Sequence, residues 1–139
     1  MKNRKRWIWI IIVVTVLTAA RYALSDRRSL EVALKVDHLP WSVRNEVVRI
    51  DSWTDYSVNG YFEVEPRDLR QFLTRRPYVE ATPHPEFGFL RKPPFDFFPE
   101  LVPFKPGHLF EWEMEEPFAS CRIWTNEEFT KAYVSYAVD

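Results

Sequence analysis

Apolar and polar residues follow three different rhythms along this chain. Trp7 through Ala20 is an unbroken run without a charge, directly after Lys2, Arg4, Lys5 and Arg6. A basic start and an apolar run predict a membrane-spanning helix or a secretory signal peptide. Further on, apolar residues recur at every second position, the mark of half-buried strands. Leu30, Val32, Leu34 and Val36 alternate with Glu31, Lys35 and Asp37, although Leu30, Ala33 and Leu34 also fit helical spacing. Val47–Trp53 and Tyr56–Glu65 predict a hairpin turning at Thr54-Asp55. In its second strand Val58, Gly60, Phe62 and Val64 face one way, with Asn59, Tyr61 and Glu63 opposite. His108–Met114, Ala119–Trp124 and Lys131–Val138 repeat the alternation, with a turn at Glu115-Glu116-Pro117.

One segment keeps a helical period. Pro66 suits a first helical position, Asp68 the first turn, and Arg75 and Arg76 the last, before Pro77 stops the helix. Leu69, Phe72 and Leu73 form its narrow apolar stripe. Ser42, after Leu39-Pro40, is placed to cap a single turn over Val43–Glu46. Together these elements predict an α+β fold: a mostly antiparallel sheet of about five to six strands, one helix packed on a face, and an N-terminal transmembrane helix ahead of them. The expected division is a basic cytoplasmic tail at 1–6, an anchor or signal peptide at 7–24, a linker at 25–28 and an extracytoplasmic domain at 29–139.

The span and its address follow from lengths and charges. Residues 7–24 as a helix cover roughly 27 Å, close to the roughly 30 Å hydrocarbon core. Arg21 near one end can snorkel, and Trp7 and Trp9 at one boundary and Tyr22 at the other suit the interfaces. Thr18-Ala19-Ala20 is the candidate cleavage site of the signal-peptide alternative. The cations at the start favour the amino end in the cytoplasm of a bacterial inner membrane, with the domain in the periplasm or exterior. Beyond Tyr22, fourteen basic residues face all twenty acidic ones, about −6 in net charge. That balance argues against nucleic acid or an anionic surface as partner. Oligomeric state has no sequence signature here. Cys121 is the single cysteine, which rules out an intrachain disulfide, and an inert core thiol is expected.

Residues 77–106 break every rhythm. Eight of the eleven prolines and six of the eleven phenylalanines lie here. Proline at this density prevents helix and central strand, yet so many aromatics do not belong in a solvated linker. Two readings compete: Phe95, Phe97, Phe98 and Phe104 wrap the sheet as core, or some stand exposed as a recognition surface. In the second, Phe95, Phe97 and Phe98 are the partner-binding anchors, rimmed by Arg91 and Lys92.

Leu39-Pro40-x-Ser42, then a hairpin into Phe62-x-Val64-x-Pro66-x-Asp68-Leu69-x-x-Phe72-Leu73, resembles a pattern in small bacterial envelope proteins. The resemblance covers about a third of the chain; it implies a bacterial source and supplies no activity or site residues.

No motif points to catalysis, a metal or a cofactor. His38, His84 and His108 lie outside any catalytic motif or short metal-ligand spacing, and Gly60, Gly88 and Gly107 form no phosphate loop. Glu111 and Glu113 share a strand face about 7 Å apart, a glycosidase-like separation that a wet strand face also produces. The leading expectation is therefore a membrane-anchored binding module that docks an envelope protein or peptide without catalysis. An inhibitor or immunity protein tethered in the path of a basic toxin is the alternative. A small hydrolase or metal-dependent enzyme using His84, His108 or Glu111 is the third.

Overall fold

The computed structural model describes residues 2–52, 56–75, 78–114 and 118–138, with side chains from Lys5 onward in the first helix. The turns expected at Thr54-Asp55 and Glu115–Pro117, and the stop at Pro77, lie outside the described residues. The elements run α1 (Lys2–Ala23), α2 (Asp26–Ala33), β1 (Arg44–Asp51), β2 (Tyr56–Glu63), α3 (Pro66–Thr74), β3 (Val79–Ala81), β4 (His108–Met114), β5 (Ala119–Thr125) and β6 (Lys131–Val138). The fold is α+β. Its six strands form one antiparallel sheet in the order β1-β2-β6-β5-β4-β3, so the last strand lies near the middle.

Four local expectations change. Residues 30–36 are not a strand: α2 and its C-cap bury Leu30, Ala33 and Leu34 and expose Val32, so the helical spacing decides. Polar ends favour the helix over the alternation. Ser25 caps it, its hydroxyl accepting from the Arg28 amide, and Asp26 lies in the first turn. At the other end the amides of Lys35 and Val36 donate to the carbonyls of Val32 and Glu31, with Lys35 at φ 53°. This is a Schellman ending with lysine where glycine is usual. The expected linker at 25–28 is thereby mostly helix, and only Leu24 and Ser25 separate α1 from α2. Ser42 caps no turn of its own. Its hydroxyl donates to Asp68 Oδ2 (2.5 Å) and accepts from the Glu65 amide, which pins the start of α3. The sixth strand is β3, inside the proline-rich segment, where three residues pair with β4.

The sheet is covered on both faces, and period two sorts the residues between them. Val58, Phe62, Cys121, Ile123, Ala132 and Val134 face α2 and α3, against Leu30, Leu34, Leu69 and Leu73. Gly60 stands directly under α2, where an added Cβ would run into the side chain of Leu30. On the opposite face Tyr61, Leu109, Trp124 and Tyr133 meet Phe98, with Phe89, Phe95, Leu101 and Phe104 packed around them. Tyr133 is the centre of this second core. Phe95 meets it edge-on at 5.0 Å between centroids, Phe104 stacks on it at 4.8 Å, and Phe98 and Tyr61 lie within 5.7 and 5.3 Å. The proline-rich segment is thus an irregular second layer.

Within this layer Phe98 is 1% exposed and Phe97, one residue away, is 43% exposed. Truncation of Phe98 to alanine should cost roughly 3–5 kcal/mol, whereas Phe97→Ala should cost less than about 1 kcal/mol. Denaturant unfolding of the whole chain in detergent micelles, followed by tryptophan fluorescence, checks the difference.

Candidate membrane joint and docking face

α1 holds a stretch, Lys5–Ala23, long and apolar enough to cross a membrane, and none of it is buried against the rest of the chain. Trp7 and Trp9 stand exposed near its start. The two threonine hydroxyls within it are satisfied internally, Thr15 donating to the Ile11 carbonyl and Thr18 to that of Val14, both at 2.8 Å. Arg21, in the last turn, is exposed. Tyr22 does more than an interfacial ring would. Its hydroxyl reaches the Glu31 carboxylate, at 2.9 Å from Oε2 and 3.2 Å from Oε1.

Glu31 is the hub of this joint. It lies on the apolar stripe of α2 and is 1% exposed. A carboxylate so placed must be fully bonded to persist. Besides Tyr22, it accepts from the Leu39 amide (3.1 Å) and from Arg28 Nη1 (3.3 Å), and Arg27 Nε lies 3.9 Å away. Burial pushes its pKa up. The Leu39, Tyr22 and Arg28 hydrogen bonds and the Arg27 charge outweigh burial and hold it below the ordinary glutamate value of 4.5. Arg27 extends the network, donating through Nη2 to the carbonyls of Leu39 and Pro40 and through Nη1 to the Val43 carbonyl and Glu46. One ionised glutamate and one arginine thereby tie the end of α1, the body of α2 and the loop at 39–43 together.

The expected docking residues divide. Phe98 is core and offers no recognition surface, and Phe95 is half-buried against Tyr133 and Phe104. The ring packing that seats the loop consumes them. Phe97 is exposed, as are Phe87, Leu90 and Val102 of the same segment. Arg91 is turned to the sheet, bridging Glu111 and Glu113, while its carbonyl accepts from Trp124 Nε1. Lys92 is exposed.

The catalytic candidates remain apart. Glu111 pairs with Arg91 and Arg122, an ionic cluster on the sheet. His108 bonds Glu80 and packs on Phe129, whereas His84 closes a small turn with Gly88 and stacks on Phe87. Among the described residues no three His, Cys, Asp or Glu side chains are placed to hold a metal. Cys121 is buried, and burial pushes its thiol pKa up to about 12. A groove of about 670 Å³ opens between the loop at 36–41 and α3, lined by His38, Trp41, Asp68, Phe72 and Arg75 among others.

Comparison with protein-family models, curated proteins and solved structures finds no match for this chain.

Reading by residue type passed over Glu31 and Arg27. A carboxylate between Leu30 and Leu34 on helical spacing was the available signal, and it is visible only once 26–33 is read as a helix. Phe87, Leu90 and Val102 carried no signal that separated them from their buried neighbours.

Two outcomes follow for the joint. Glu31→Leu strands the buried Leu39 amide and should cost roughly 1–3 kcal/mol, while Tyr22→Phe removes one hydrogen bond and should cost about 1 kcal/mol. Because the folded-state pKa of Glu31 is lowered, its contribution is complete above the ordinary glutamate value and is lost as pH falls below that value through the lower folded-state pKa. Unfolding measured from pH 7 to pH 3 should therefore show the gap between wild type and Glu31→Leu closing on the acid side. Cys121, buried and protonated, should resist maleimide in the native protein and react after denaturation, as mass spectrometry of the labelled chain would report.

Proposed function

We propose that this chain is a single-pass, membrane-tethered docking module of a bacterial cell envelope. In this reading residues 1–6 stay in the cytoplasm and residues 7–24 cross the inner membrane. The sheet domain stands in the periplasm or exterior and binds an envelope protein or peptide. Its action is docking and not catalysis.

The observation that carries the reading is the division of the proline-rich segment. Phe95, Phe98, Leu101 and Phe104 seat it on the sheet, which leaves Phe87, Leu90, Phe97 and Val102 facing outward. A segment fixed by proline and by its own core loses little conformational entropy on binding. Large apolar side chains held outward on such a base are what a contact surface requires. The apolar, unburied run of α1 supports the tether, and the four cations in the first turns of that helix support the amino end inside.

Photo-crosslinking amino acids placed at Leu90 and Phe97, and at exposed Arg67 on α3 as control, test this in native membranes. A discrete adduct at 90 and 97, absent at 67 and lost when Phe87 and Val102 are both changed to serine, is expected. Equal adducts at all three positions, or none at 90 and 97, would overturn it.

A further inference from the structure

Trp41 is 100% exposed. A tryptophan offers a large apolar body and one N–H donor, a combination favoured where an apolar phase meets water. The position of Trp41 is fixed and is not that of a loose loop tip. The Leu39 amide and the Tyr22 hydroxyl share one oxygen of Glu31, at 3.1 and 3.2 Å. Arg27 grips the Leu39 and Pro40 carbonyls at 2.9 Å each. Ser42, the next residue, is bonded to Asp68 and Glu65 at the start of α3. Trp41 therefore lies two residues, about 7 Å of chain, from Leu39, whose amide shares a Glu31 oxygen with Tyr22 of the last turn of α1. Leu24, at the end of that helix, is 86% exposed.

We propose that Trp41 is a second membrane contact, its indole seated in the lipid headgroup region where the carboxyl end of α1 emerges, beside Leu24. The inference rests on reading α1 as a bilayer span. Interfacial lipid offers the indole what water alone does not, acyl chains for the ring and ester or phosphate oxygens for Nε1–H. The −6 charge of the domain disfavours an anionic surface, but the indole partitions by its apolar area and the span already holds the loop near the bilayer. One helix alone leaves the domain free to turn about the axis of the span. A second contact on the clamped loop at 39–43 fixes that rotation, and the groove lined by His38, Trp41 and Arg75 then opens beside the membrane.

Spin labels test this on the full chain in vesicles of mixed phosphatidylethanolamine and phosphatidylglycerol. Buried Cys121 leaves an introduced cysteine as the site that reacts. His38→Cys, on the same loop, reports with Trp41 present and with Trp41→Ser; Leu17→Cys reports the span and Phe97→Cys the aqueous face. The expected result is a label at 38 more accessible to oxygen, and less to a water-soluble nickel chelate, than the label at 97. Trp41→Ser should return it to the values at 97. A label at 38 that matches 97 with Trp41 present, or that Trp41→Ser leaves unchanged, overturns the proposal while a lipid-buried label at 17 upholds the span. Exclusion of both reagents at 38 would mean a protein neighbour and also overturns it. A label at 17 open to the nickel chelate would instead sink the span reading, and the proposal with it.

Discussion

A single buried carboxylate sets the geometry of the amino-terminal half. Glu31 satisfies a hydroxyl from α1, an amide from the loop at 39 and a guanidinium from its own helix. Each partner comes from a different stretch of chain, so ionisation of one group orders three elements at once. Net energy from such a site is modest, since desolvation offsets much of the attraction. Its directional effect is larger: the charged form tolerates few arrangements of its donors. Two residues between α1 and α2 leave little slack, and the Tyr22–Glu31 bond removes more of it.

The rest of the domain solves a problem of size. A single sheet of this length needs both faces covered, and α2 and α3 cover only one. The other is closed by a segment that cannot be helix or central strand because of its prolines. Aromatic rings make this workable: a few large, rigid side chains bury much area for each residue ordered. Phe95, Phe98 and Phe104 converge on Tyr133 from an irregular backbone. The same constraint separates inward from outward positions sharply enough that Phe97 and Phe98 occupy different environments.

Sheet and faces were legible because period two is a direct imprint of the pleat. Val58, Gly60 and Phe62 face the helices as their spacing requires, and so do Cys121, Ile123 and Val134. The stretch at 30–36 misled because Leu30, Val32, Leu34 and Val36 satisfy the strand period while Leu30, Ala33 and Leu34 satisfy the helical one. Capping at Ser25 and the turn at Lys35 decided between them, and the first of these lies outside the stretch itself. Within the proline-rich segment no period exists, so sequence distinguishes neither Phe98 from Phe97 nor a half-buried Phe89 from an exposed Phe87. Trp41 was illegible for a related reason. An indole gives no hint in composition whether it is packed, and here nothing covers it.

The place of β6 has a consequence for the order in which the sheet is assembled. It fills the gap between β2 and β5, yet it is made after the other five strands. A chain delivered from its amino end holds the β1–β2 hairpin with the inner edge of β2 bare while α3, the proline-rich segment and the β4–β5 hairpin follow. Bare strand edges invite pairing with other chains. The two halves of the sheet can join only once the eight residues of β6 are made, and a chain arrested just short of Lys131 would present two open edges instead of one closed seam.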